Sequence, residues 1–142
     1  MPTPYRSSFV LLLIGAAICG ACQKTTNPGG EIEKEAARRG EESYRAYKTA
    51  DYATARAALL DFAQWLDKAS SDPNATDAVR DDAVLSYVRL AKLEEKEGHT
   101  AEQTAYMKQA VARCQSKKQQ MGGCAEERLR RITDQVDQVP PN

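Results

Sequence analysis

Side chains able to act as nucleophiles, proton carriers or metal ligands are few in this 142-residue chain: four cysteines, at 19, 22, 114 and 124, and one histidine, His99. A thiolate is a nucleophile or a metal ligand only in an electropositive, accessible setting. Cys19 and Cys22 lie inside an apolar block, and Cys114 and Cys124 flank the turn QSKKQQMGG. His99 follows Gly98 at a turn without a matched set of ligands, so a solvated turn residue is expected, with a metal or general-base role as the alternative. The chain carries no phosphate-binding glycine loop, nucleophile elbow or zinc spacing, and its paired carboxylates fall on helix faces where solvation accounts for them. These features predict a non-catalytic protein without cofactor or metal. An envelope hydrolase working through carboxylates stays as an alternative, because such enzymes lack dependable short motifs.

The elements that would hold these residues begin with an amino-terminal segment. MPTPYRSS, with a single positive charge at Arg6, leads into the apolar or small run Phe9 to Cys22, FVLLLIGAAICGAC. That is the layout of an export signal. As a helix its 14 residues reach only about 21 Å, short of the roughly 30 Å hydrocarbon core. The small pair Gly20-Ala21 runs directly into Cys22, which resembles the lipobox of bacterial lipoproteins. The resemblance implies a diacylglyceryl group on the Cys22 thiol, cleavage on its amino side and acylation of the new terminus. Cys19 departs from it, standing where that family usually has an aliphatic residue, and bulky Ile18 makes Cys19 itself the poorer lipid site. At about 0.8 kcal/mol per buried methylene, two or three acyl chains hold a protein on a bilayer where one binds marginally.

Gln23 to Gly30, QKTTNPGG, is polar and ends in Pro-Gly-Gly, the composition of a tether. Gln23 after the lipid site resembles the outer-membrane class of Gram-negative lipoproteins, which implies a domain facing the periplasm. The expected organisation is a signal over 1–21, lipidated cysteine and tether over 22–30, a helical domain over 31–139 and a tail over 140–142. The chain has 20 basic and 20 acidic residues, and loss of Arg6 with the signal leaves a net charge of −1. Nucleic acid is excluded as a partner on electrostatic grounds. The basic cluster Lys117-Lys118, Arg128, Arg130 and Arg131 reads as a solvated face, with contact to anionic lipid or an acidic partner as the alternative. With Cys19 removed and Cys22 lipidated, Cys114 and Cys124 are expected to form a disulfide across the turn containing Gly122-Gly123, two unpaired thiols being the alternative.

The whole chain is 42% apolar and 28% charged, and after residue 22 Val, Ile and Phe are few, so the remainder predicts an all-α domain of about five amphipathic helices. The first starts at Glu31 with Ile32, Ala36, Ser43, Tyr44 and Tyr47 near one stripe, weakened by Gly40. The second carries Tyr52, Ala55, Leu59, Phe62, Leu66 and Ala69, widened by Trp65, and stops before Pro73. A third, Thr76 to Glu97, capped at Thr76 or Asp77, is apolar on a broad surface and is expected between the second and fourth. The fourth, Thr100 to Lys118, is expected to bury Thr104, Met107, Val111 and Cys114. The fifth, Cys124 to Val139, spaces Ala125, Leu129, Ile132, Val136 and Val139 helically.

Two helical hairpins superpose at an offset of 48 residues, with Asp51-Tyr52 on His99-Thr100, Leu59 on Met107, Phe62 on Ala110 and Ser43 on Ala91. The stretch Tyr44 to Leu60, with Ala46, Asp51-Tyr52, Ala55 and Leu59, resembles the tetratricopeptide repeat. Antiparallel helix pairs and a concave, peptide-binding face are implied, with Tyr44, Tyr47 and Lys48 on it beside Val88, Lys92 and Lys96. The 48-residue offset departs from that family's 34-residue period, and Glu94 and Gln103 occupy places where small residues are usual. The family's clamp for a terminal carboxylate is absent, Gly40, Tyr44, Val88 and Lys92 standing in its places. A generic antiparallel bundle is the other reading of the pattern, and core or half-buried cover the other reading of the tyrosines.

Together these features predict a membrane-anchored lipoprotein that engages another envelope protein or peptide, with a self-associating structural lipoprotein as the alternative. The mass of the mature protein extracted from membranes checks the anchor. Loss of residues 1–21 and a gain of acyl mass on Cys22 are expected together, and a full-length unmodified mass refutes the reading.

Overall fold

A computed structural model describes residues 28–116 and 123–139, which form five α-helices and, among the described residues, no strand. They are α1 (Pro28–Thr49), α2 (Tyr52–Ala69), α3 (Asp77–Glu97), α4 (Thr100–Gln115) and α5 (Glu126–Asp137). The expected signal, the lipid site at Cys22 and the carboxy-terminal tail lie outside the described residues.

Helix α1 starts three residues before the expected Glu31, taking Pro28-Gly29-Gly30 as its first turn. Proline is tolerated there because a first-turn N–H has no helical acceptor in any case and the ring presets the helical φ. Its outer face is laced by Arg38 with Glu35 and Glu42 and by Arg45 with Glu41. Gly40 has a packing role: a Cβ added there would stand 3.3 Å from the Phe62 ring, so the missing side chain lets α2 approach. Asp51 caps α2, its carboxylate accepting from the Thr54 amide at 3.0 Å and from the Thr54 hydroxyl at 2.8 Å. Beyond α2 the Asp72 side chain accepts from the Asn74 amide at 2.8 Å, a local turn that competes with further helix.

The expected central position of the third helix is observed. Val79, Ala83, Val84, Leu85, Tyr87, Val88, Leu90, Ala91 and Leu93 of α3 are all buried, and the helix packs on α2, α4, α1 and α5. One core cluster joins α3 to Ala55, Leu59 and Ala63 of α2, Met107, Ala110 and Cys114 of α4, and Leu129 of α5. A second joins Ala36, Phe62, Leu66, Val79 and Ala83 toward the other end of the bundle. Gly98, at φ 80°, ends α3 in the left-handed conformation, and the following His99 amide donates to the Glu94 carbonyl at 2.9 Å.

Three expectations are corrected. Thr76 occupies the N-cap position of α3 without a side-chain cap bond, and its buried hydroxyl oxygen finds no partner. Thr104 is exposed, because its hydroxyl returns to the Thr100 carbonyl at 2.9 Å on the solvent side of α4. Along α5 only Leu129 and Thr133 are buried, while Val136 and Val139 are 43% and 66% exposed. The helix lasts only 12 residues, and although Asp137 in its final turn is bonded to Tyr44 and Arg89, the side chain of Val136 and that of Val139 just beyond the helix border a groove and stay uncovered.

Cys114 and Cys124 are joined by a disulfide with a Cα separation of 5.6 Å, closing the turn between α4 and α5. On the chain-entropy account so short a loop contributes about 2 to 3 kcal/mol. Cys114→Ser or Cys124→Ser should lower the urea-unfolding free energy of the mature chain by that amount without reductant. Equal stability of variant and parent would show that the bond does not form in solution.

Candidate functional site

The gap beneath the last turn of α5 is a groove of about 750 Å³ whose walls are α1, α3 and α5. Its apolar lining comes from Ala36, Ala37, Phe62, Val136 and Val139, with Gly40 giving depth where a side chain would fill it. Three elements meet at its centre. The Tyr44 hydroxyl of α1 donates to the Asp137 carbonyl at 2.8 Å. Arg89 of α3 donates from Nε and Nη2 to Asp137 Oδ1 at 3.0 and 2.6 Å. The Arg89 guanidinium also lies 5.0 Å from the Tyr44 ring centre, and Lys48 Nζ lies 5.8 Å from the same ring. Arg89 and Asp137 are only 11% and 9% exposed, so water screens this pair poorly.

Asp82 is the other acid of the groove. It stands seven residues before Arg89, on the same side of α3, and lines the cavity. Among the described residues it has neither a hydrogen-bonding nor an ion-pairing partner. Burial pushes its carboxyl above the ordinary value of 3.8, and the charge of Arg89 offsets part of that rise.

The residues expected to meet a partner divide between groove and core. Tyr44 and Lys48 line the groove. Tyr47 is half-buried beside Tyr44, with ring centres 6.3 Å apart, and packs on the larger core cluster. Lys92 is tied to Asp134 of α5. Lys96 is exposed near the end of α3. Val88 is wholly buried in the core and has no surface to offer a partner, because α3 is covered on that side as well. Sequence reasoning missed Asp82, Arg89 and Asp137, because α3 carries many other charged residues and nothing in their spacing sets these apart.

Two further polar clusters join helices away from the groove. Glu94, with no exposure, accepts from the Tyr52 hydroxyl at 2.7 Å and from Arg56 Nε at 2.7 Å, and meets His99 Nδ1 at 2.8 Å. Desolvation opposes ionisation of Glu94, but the bonds from Tyr52, His99 and Arg56 prevail and hold its carboxyl below the ordinary value. Asp67 of α2 accepts from Arg113 of α4 through two bonds of 2.6 Å and from the Tyr87 hydroxyl of α3 at 2.8 Å. Burial, with help from the Asp67 hydrogen bond, pushes the Tyr87 phenol up to about 12. Both clusters are closed sets of mutual bonds that tie α2 to its neighbours. Among the described residues, no group of three or more His, Cys, Asp and Glu is placed to hold a metal, and no helix is long and apolar enough to cross a membrane. No known protein family, curated protein or solved structure matches this chain.

The raised Asp82 pKa has a consequence for stability. Between its ordinary pKa and its folded value the native chain binds more protons than the unfolded one, so this group's contribution falls as pH rises through that window. Asp82→Asn removes the buried charge. Its Tm should exceed that of the parent at pH 7, and the difference should shrink toward pH 4. A lower Tm at pH 7 would mean that Asp82 has a stabilising partner.

Proposed function

We propose that the protein is a membrane-anchored lipoprotein of the cell envelope, held by lipid on Cys22 and, in a Gram-negative envelope, facing the periplasm from the outer membrane. It acts as a non-catalytic adaptor, presenting a tetratricopeptide-like groove to another envelope protein. The groove walled by α1, α3 and α5 carries this reading, since it leaves large apolar side chains uncovered in an otherwise well-packed domain. The helix order supports the repeat-like part. Two-residue turns separate α1 from α2 and α3 from α4, and α2 and α4 begin 48 residues apart, at Tyr52 and Thr100. The first helix of each pair stands beside the first helix of the next, α1 against α3 and α3 against α5, as in a stack of antiparallel hairpins. Helix α5 then serves as the cap that a stack of two hairpins lacks. Exposure of Val136 and Val139 also favours a second reading, in which two copies cover one another's grooves.

Position-specific photocrosslinkers at Lys48 and Val136 in intact cells, with Lys108 on the exposed side of α4 as control, test the proposal. Adducts to a second protein are expected from the two groove positions and not from Lys108. Adducts to the same chain favour self-association. Their absence from abundant protein refutes the groove reading.

A further inference from the structure

The charges around the groove do not balance where they stand. Arg45 is paired with Glu41 at 2.6 Å, and Arg89 with Asp137 at 2.6 Å. Two lining residues are left with no ion pair among the described residues, the acid Asp82 and the base Lys48. Their separation follows from helix register. Tyr44 lies under Arg89, and α2 runs antiparallel to both α1 and α3, so α1 and α3 run side by side in the same direction, offset by 45 residues where they meet. At that offset Asp82 stands level with Ala37, which lines the same groove. The Lys48 backbone lies eleven residues further along α1, about 16 Å at 1.5 Å per residue, and its Nζ, 5.8 Å from the Tyr44 ring centre, brings the charge somewhat closer. An extended strand bridges the two charges with residues about four positions apart, an even spacing that puts both side chains on one face.

We infer that the groove is selective for an extended partner segment that places a basic side chain on Asp82 and an acidic one on Lys48, with apolar residues between them against Val136 and Val139. This rests on the groove-docking reading above and gives it a partner chemistry. The two charges differ in setting. Asp82 sits in the apolar part of the groove, where a cation replaces lost hydration and forms a charge-assisted bond. Lys48 is exposed at the rim and held near the Tyr44 ring, so it contributes more to orientation than to affinity. A segment docked in reverse brings a cation to Lys48 and an acid to Asp82, and like charges at both ends reject it.

A displayed library of random twelve-residue peptides, selected against the detergent-extracted mature protein, tests the inference. Enriched sequences should share a basic and an acidic residue four or six positions apart with apolar residues between. A synthetic consensus peptide should bind Asp82→Asn at least about tenfold more weakly and Lys48→Ala by a smaller factor, with unchanged helical circular dichroism in both variants. Enrichment without the charge pair, or equal binding by Asp82→Asn, overturns the charge inference and leaves the groove reading standing. No enrichment at all overturns both. Enrichment only after residues 140–142 are removed makes the chain's own tail the occupant, and competition by dimer formation makes it a second copy. Either result also overturns the inference.

Discussion

Burial of α3 constrains everything else in this small domain. Eleven of its 21 residues are buried, and they occupy every side of the helix. At about 1.5 to 3 kcal/mol for each large apolar side chain removed from water, such a helix is stable only with neighbours all round. The layout follows from that demand. Helices α2 and α4 cover the greater part of α3, α1 leans against it from beyond α2, and α5 closes part of what is left. A strictly two-sided bundle would leave apolar surface of α3 in water, and a longer α5 would close the gap that α1, α3 and α5 now surround. The groove is thus what remains when a helix of 12 residues covers part of a helix of 21.

Apolar burial is indifferent to small slides along a helix, and the polar clusters remove that freedom. Each centres on one carboxylate that collects donors from other elements: Glu94 takes Tyr52 and Arg56 of α2 and the turn residue His99, and Asp67 takes Arg113 of α4 and Tyr87 of α3. A one-turn slide would leave Glu94 charged, buried and without donors, a far greater penalty than the same slide costs between aliphatic residues. This explains a departure from the repeat pattern. Glu94 stands where that pattern favours a small residue, and it is accommodated because Tyr52, Arg56 and His99 supply the hydrogen bonds that a buried carboxylate requires. His99, expected as a solvated turn residue, keeps an exposed edge but is also part of this cluster.

Much of this architecture was legible in the spacing of apolar residues. The stripe of α2 and the broad apolar surface of α3 announced their positions because burial acts directly on those features. Gly98 signalled the end of α3, since a left-handed residue there strains any side chain. Less legible was whatever depends on the extent of a neighbour. Val136 and Val139 are correctly spaced for a buried stripe, but spacing cannot say that the covering helix has run out. Thr104 is as compatible with a bond to its own helix as with burial, and Pro28 fits a helix start as well as a tether. The groove was half legible: Tyr44 and Lys48 were singled out, whereas nothing set Asp82 and Arg89 apart from the other charges of α3, and Arg89 gains its partner Asp137 only once α5 has folded back.

Helix α5 is held in two places of different strength. At its start the disulfide between Cys114 and Cys124 anchors the approach covalently to α4, and Leu129 is buried one turn later. At its end the attachment is polar: the Asp137 carbonyl receives Tyr44, and its carboxylate receives Arg89. Between them Arg130 reaches Glu95 and Asp134 meets Lys92, bridges open to water that add little. The Asp137 end is therefore the weaker attachment, and it bears on the groove directly, since Asp137, Val136 and Val139 form one wall. A partner that displaces Tyr44 or Arg89 from Asp137 would loosen that wall, and one that binds without disturbing them would keep it rigid. The unpaired charges of Asp82 and Lys48 permit the second course, because they offer contacts that leave the bonds to Asp137 in place.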